Sequence, residues 1–182
     1  MNSVEKVREF VKKECSEDDW KYHVSIVIDY SRILAEKLGA DKEIVELGSI
    51  LHDIGWIRDI NDDPIHDTVG QKHAEEILKE FGFSEDTINK VNHCIESHRV
   101  RIIPITLEAK IIANADAMSH FDSMPYLLKI ALKNSNGNIK ESVQWLYDKL
   151  ENDWKKKITL PEAREMIEEK YKAAKRILES IS

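Results

Sequence analysis

Apolar residues recur at three- and four-residue spacing along most of the chain, the period of helices that turn one face to a core. Only 6 glycines and 4 prolines interrupt the pattern, which predicts an all-α protein. A first helix over about 3–14 carries Val4, Val7, Phe10 and Val11 on one stripe. A second runs from about Tyr22 to Leu38 and ends at Gly39. A third, over about 41–53, points Ile44, Val45, Leu47, Ile50 and Leu51 inward, with Asp41 as its N-cap. The stretch DIGWIRDINDDPIH, with Gly55, Pro64 and four aspartates from Asp53 to Asp63, predicts a loop of about a dozen residues. Helices resume over about 67–81 and, after Gly82, over about 84–98, where Ser84 is a plausible N-cap and Ile88, Val91 and Ile95 form the buried stripe. RVRIIPI breaks the pattern. Further helices are expected from Thr106 to about Ser119 and near 122–134, 138–156 and 161–180. The last two are highly charged and predict a solvated outer layer, in which WKKK at 154–157 is a solvated face.

With 182 residues and 42% hydrophobic content, one compact core is affordable, so residues 1–182 are expected to form a single domain. No run of about 18 apolar residues occurs, and MNSVEKVREF carries charges where a signal peptide has its apolar stretch. A cytoplasmic protein with no membrane partner is the expectation. Cys15 and Cys94 lack C-x-x-C spacing and read as ordinary buried or half-buried thiols. The formal net charge of −7 excludes a general nucleic-acid surface and confines any phosphate recognition to a local pocket.

The candidate chemistry begins with GSILHDIGWI, where His52 and Asp53 end an apolar run. The dipeptide alone is weak, since His66-Asp67 repeats it. The helix stripes, however, also bring His23, His93, His98 and Asp116 to the interior edge beside large apolar side chains, and convergence on a cation would satisfy such buried polar groups. Successive residues on a helix diverge by about 100°, so His52 and Asp53 can meet one ion only where the helix ends. There the second carboxylate oxygen can bridge to another ion.

These stretches resemble the HD-domain superfamily of metal-dependent phosphohydrolases. The matching segments are WKYHVSIVIDYSRILAEKLGAD with His23, VELGSILHDIGW with His52 and Asp53, and TLEAKIIANADAMSHFD with Asp116. HDTVGQKHAEEILKEFG and INKVNHCIESHR are similar to the family's middle helices and place His66 and His98 where binuclear members hold further ligands. The motif core covers about residues 20–125; residues 126–182 would be a helical extension packed on it. The branch that cleaves cyclic dinucleotides has lysine at the position of Trp56, paired histidines near His98 and a Gly-Tyr-Pro run that SHRVRIIPI lacks. The chain is therefore similar to the general HD hydrolase group rather than to that branch.

The resemblance implies an HD-type helical bundle with additional C-terminal helices, holding a divalent ion through His23, His52, Asp53 and Asp116, with a second ion or substrate near His66 and His98. The donor set admits Mn, Fe, Co, Ni, Zn or Mg. It also implies hydrolysis of a phosphomonoester or phosphodiester, in a small nucleotide-like substrate, by water activated at the metal. Asp53 would orient the water, and His66 or Asp59 would serve in proton transfer. For the substrate phosphate the candidates are Arg58, Arg99, Arg101 and Lys110. Trp20 and Trp56 are candidates for stacking on a base. His73 and His93 read as structural or surface residues and His120 as a bystander. Two other readings use the same scaffold: a di-iron oxygenase, and a non-catalytic nucleotide-binding sensor.

Overall fold

The structure is a computed structural model that describes residues 2–58, 66–99 and 101–181, without the side chains of His66 and Asp67. Among the described residues there is no strand. The helices are α1 (Ser3–Glu14), α2 (Glu17–Asp19), α3 (Ser25–Leu38), α4 (Lys42–Leu51), α5 (Ile54–Arg58), α6 (His66–Glu80), α7 (Glu85–Ser97), α8 (Leu107–Asp122), α9 (Met124–Asn134), α10 (Ile139–Asn152) and α11 (Pro161–Glu179). Local chemistry sets their ends. Asn2 and Glu5 close a capping box on α1, and the side chains of Asp41, Ser84, Thr106 and Asn138 accept backbone N–H groups of the first turns they precede. Gly39, at φ +71°, takes the left-handed conformation that ends α3.

Helix α8 is the axis of the bundle. From Ile111 to Phe121 every residue is buried, as expected of a helix covered on all sides. One face meets α4 and α7, in a core that includes Val7, Leu47, Ile77, Val91 and Ile112. The other meets α3 and α11, in a core that includes Leu34, Ile111, Met118, Leu146 and Ile167. Where α4 crosses α7 and α8 the helices approach closely at a glycine: a Cβ on Gly48 would lie 2.3 Å from Ile112 Cδ1, whose methyl would have to shift, and 3.2 Å from Cys94 Cβ.

Two expectations need correction. DIGWIRDINDDPIH is not one long loop, because residues 54–58 form α5 with Ile54 and Ile57 buried. The aspartates hide a short apolar turn, and α5 lies so close to α6 that a Cβ on Gly70 would stand 3.4 Å from the Gly55 nitrogen. Nor are the last two helices merely a solvated layer. Val143, Leu146 and Leu150 of α10 and Ala163, Ile167, Ala174 and Leu178 of α11 are buried; the charges cover only their outer faces.

Asn114 joins α11 to the axis. Its Oδ1 accepts the N–H groups of Thr159 (2.8 Å) and Leu160 (3.0 Å), and its Nδ2 donates to the Lys110 carbonyl and to Thr159 Oγ1. Asn114→Ala strips these groups of their partner and is expected to cost about 1–3 kcal/mol, seen as a lower denaturation midpoint at unchanged slope. Both cysteines are free; burial pushes the Cys15 thiol up to about 12, with Asp19 adding to it, and raises that of Cys94 as well. A raised thiol pKa leaves little thiolate at pH 8. Alkylation followed by mass spectrometry should therefore be slow in the folded protein and fast in denaturant. Among the described residues no helix is long and apolar enough to cross a membrane.

Candidate metal centre

Four parts of the chain deliver the polar side chains. The buried stripe of α4 carries its C-terminal end into the interior, where His52 is fully buried. The chain then turns into α5, so Asp53 escapes the 100° divergence of neighbours on a helix and stands beside His52, Nε2 to Oδ2 3.5 Å. His23 sits in a π-helical turn, Trp20–Val24, where the Ser25 N–H donates to the carbonyl five residues back; such turns are frequent at functional sites. Asp116 and His120 share one face of α8 at i, i+4. His98 follows the last turn of α7.

Their donor atoms converge. His23 Nε2 lies 3.0 Å from His52 Nε2, 3.0 Å from Asp53 Oδ2 and 3.5 Å from Asp116 Oδ1. His98 Nε2 stands 3.4 Å from the other oxygen of Asp53, and His120 Nε2 is 3.5 Å from Asp116 Oδ1. Two sets, His23-His52-Asp53 and His23-Asp116-His120, have ligand atoms all within 4.8 Å of one another.

The outer hydrogen bonds fix which nitrogen faces inward. His52 Nδ1 donates to the Ser49 carbonyl (2.8 Å) and His98 Nδ1 to the Ile95 carbonyl (2.5 Å), since a carbonyl can only accept. The Ser119 hydroxyl spends its proton on the Asp116 carbonyl (2.7 Å), so it accepts from His23 Nδ1 (3.1 Å). His120 Nδ1 donates to Asp153 (2.8 Å), whose two oxygens also accept from Lys149 (3.1 and 2.8 Å). Every one of these rings thus turns Nε2 toward Asp53 or Asp116. Anchoring of the far nitrogen in this way is what orients imidazole as a metal ligand.

Burial alone would raise the Asp53 carboxyl, but His52, His23 and His98 hold it well below the usual range. Burial likewise works against Asp116, which Lys157 (2.6 Å), His120 and His23 hold low. Burial pushes His52 down to about 4, whereas at His23 the pull of Asp53 and Asp116 outweighs burial and raises it. One positive charge, on His23, therefore fits between the two Nε2 atoms and the carboxylates. The donor set suits a divalent cation at the same point for the same reason, with anionic and imidazole donors of the kind such ions take.

His23, His52, Asp53 and Asp116 are brought together, and His98 joins them through Asp53. The side chain of His66, and Asp59 altogether, lie outside the described residues. Arg58 turns to α1, where it makes a bidentate pair with Glu14 at 2.8 Å beside the Phe10 ring. Arg101 and Lys110 are exposed, while Arg99 and Trp56 line the cleft above the cluster. Trp20 packs against the first core. His93 pairs with Glu96 and accepts the Ile105 N–H.

Two expectations change here. His120 is no bystander, since its i, i+4 spacing from Asp116 places it on the same inward face. Nor is WKKK wholly solvated: Lys157 is buried against Asp116. Asp153 and Lys149 went unrecognised in the sequence. The available signal was the repeated spacing of four in Lys149, Asp153 and Lys157, which marks one face of α10 and of the π-helical turn after it, Asp153–Lys157. The donors open onto a cleft of about 200 Å³, whose walls include Trp56, Arg99, Ile130, Trp145 and Lys149.

The HD domain model matches residues 20–120, more than half of the chain. The chain is 36% identical to Ribonuclease Y of Fervidobacterium nodosum over 97 residues, which are 53% of this chain and 17% of that protein. It is 37% identical to Ribonuclease Y of Thermosipho melanesiensis over 87 residues, 48% of this chain and 16% of that protein. It thus spans less than a fifth of the length of these curated relatives. Among solved structures, Bacillus subtilis YpgQ in complex with ADP is similar at a TM-score of 0.77 and 20% identity, over 98% of this chain and 93% of that one. An HD-superfamily hydrolase from Bacillus thuringiensis is similar at 0.73 and 22%, over 98% and 94%. At these identities the likeness is one of fold, and it includes the C-terminal helices.

Proposed function

The chain belongs to the HD-domain family, and we propose that it is a metal-dependent phosphohydrolase acting on a phosphomonoester or phosphodiester of a nucleotide-like metabolite. The observation that carries this reading is the set of imidazoles anchored through Nδ1, with Nε2 aimed at two deprotonated carboxylates. In it, His23, His52, Asp53 and Asp116 would hold one divalent ion, and His98, which faces the other oxygen of Asp53, would help to hold another. The cation would supply Lewis acidity, making a neighbouring water acidic enough to attack phosphorus and offsetting charge on the phosphoryl oxygens. Asp53 accepts hydrogen bonds at the centre and orients the attacking water. Arg99 and Lys149 line the cleft and neutralise the phosphate from its outer side. Lys157 donates to Asp116 Oδ2 and so leaves Oδ1, which faces His23 and His120, as the oxygen that would meet the ion.

The ADP complex of Bacillus subtilis YpgQ supports a nucleotide-like ligand for this fold. The likeness to Ribonuclease Y favours a second reading, a phosphodiester in RNA, although the net charge of −7 offers no broad surface for the strand. Metal analysis of the purified protein, combined with a panel of phosphomonoesters, nucleotides and short RNAs under several divalent ions, tests both. Phosphate release that requires added metal supports the proposal. Oxygen consumption with retained iron would point to a di-iron oxygenase, and nucleotide binding without turnover under every ion to a sensor; either result would overturn it.

A further inference from the structure

On the assumption that the site is a phosphohydrolase centre, we infer that α9 and α10 form its specificity wall and that this wall takes the planar base of a nucleoside phosphate. The family match ends at residue 120, yet the cleft continues beyond it. Its lining runs from His23, Asp53 and Asp116 to Ile130, Trp145 and Lys149. Charge sorts this lining into two parts. Around the donor cluster, Lys149 and Lys157 stand against the carboxylates Asp153 and Asp116 and Arg99 lines the cleft beside them, so a bound divalent ion would add positive charge that attracts an anion. Away from it the lining is apolar, with Leu127 and Ile130 on α9 and Trp145 on α10, and Asn134 adds an amide able to hydrogen-bond the edge of a ring. Trp145 is 39% exposed, and among the described residues no other ring packs on it. A large indole left open beside a phosphate-binding centre suits a ligand that is anionic at one end and flat and apolar at the other. A nucleoside monophosphate has that chemistry; glycerol phosphate and inorganic phosphate have only its anionic half.

Calorimetry on the metal-loaded protein, with AMP and inorganic phosphate as probes, tests the wall. AMP should bind more tightly than phosphate. Trp145→Ala should reduce the ratio of the two affinities by roughly 5-fold or more, the usual loss when a base is deprived of its aromatic platform, and Trp145→Phe, which keeps a ring, should restore most of it. Ile130→Asn gives an independent check and should lower the same ratio. If AMP binds no better than phosphate, or if the ratio is the same in Trp145→Ala, the wall is not a base site, and phosphate binding with metal-dependent hydrolysis leaves the phosphohydrolase reading standing. If neither probe binds and no phosphomonoester, nucleotide or RNA is hydrolysed under any divalent ion, both readings fall.

Discussion

Asp53→Ala is expected to abolish metal retention and to lower phosphate release by on the order of 10³-fold or more, about 4 kcal/mol of barrier. Both of its oxygens face imidazoles: one faces His23 and His52, and the other faces His98. Without it, His23 Nε2 and His52 Nε2 stand 3.0 Å apart with no carboxylate between them and α7. Asp53→Asn separates charge from shape, since the amide fills the same space but presents an N–H donor where an acceptor is needed. It should lose metal almost as completely as alanine does. The check is metal content by elemental analysis beside turnover, with a thermal melt to establish that the fold persists. Full metal content and activity in both variants would place the centre elsewhere.

Gly48→Leu should have the largest effect on stability. The added side chain must enter a space where even a Cβ lies 2.3 Å from Ile112 Cδ1, and overpacking of this kind typically costs about 1–3 kcal/mol, occasionally more. Gly48→Ala is a milder probe, because Ile112 can shift its terminal methyl and alanine regains up to about 1 kcal/mol of helix propensity. The leucine variant should also weaken metal binding. Pushing α4 off α8 moves His52 and Asp53, on α4's end, away from Asp116 and His120 on α8. Denaturation midpoints together with metal titration of both variants read the two consequences separately.

The helices were legible because their apolar stripes keep the 3.6 period and because asparagine, aspartate, serine, threonine and glycine stand at their ends. Helix α5 was not, since its burial rests on Ile54 and Ile57 alone, between aspartates that mark a loop. In the site, His52, Asp53 and Asp116 stand out as polar residues at the inner edges of apolar helices. Lys149, Asp153 and Lys157 do not: they lie in charged segments whose outer faces carry most of the Lys and Glu, and their spacing of four puts them on one face without saying that the face turns inward. The pairing of Lys157 with Asp116 spans 41 positions, and only the packing of the turn Asp153–Lys157 against α8 creates it.

The π-helical turns Trp20–Val24 and Asp153–Lys157 set the phase of the site. At Ser25 and again at Ile158 a backbone N–H reaches five residues back instead of four, so each turn holds one residue more than an α-helix would use. Removing one residue from either segment would let the helix close up normally, leaving its hydrogen bonding and apolar content almost intact. Everything on one side of the cut would nonetheless be rotated by about 100° relative to the other. His23, or Lys157 relative to Asp153, would then face the wrong way. The length of the chain at these two points is thus a form of chemical information that residue identity does not carry: a sequence could keep every ligand and still lose the site by a single missing position.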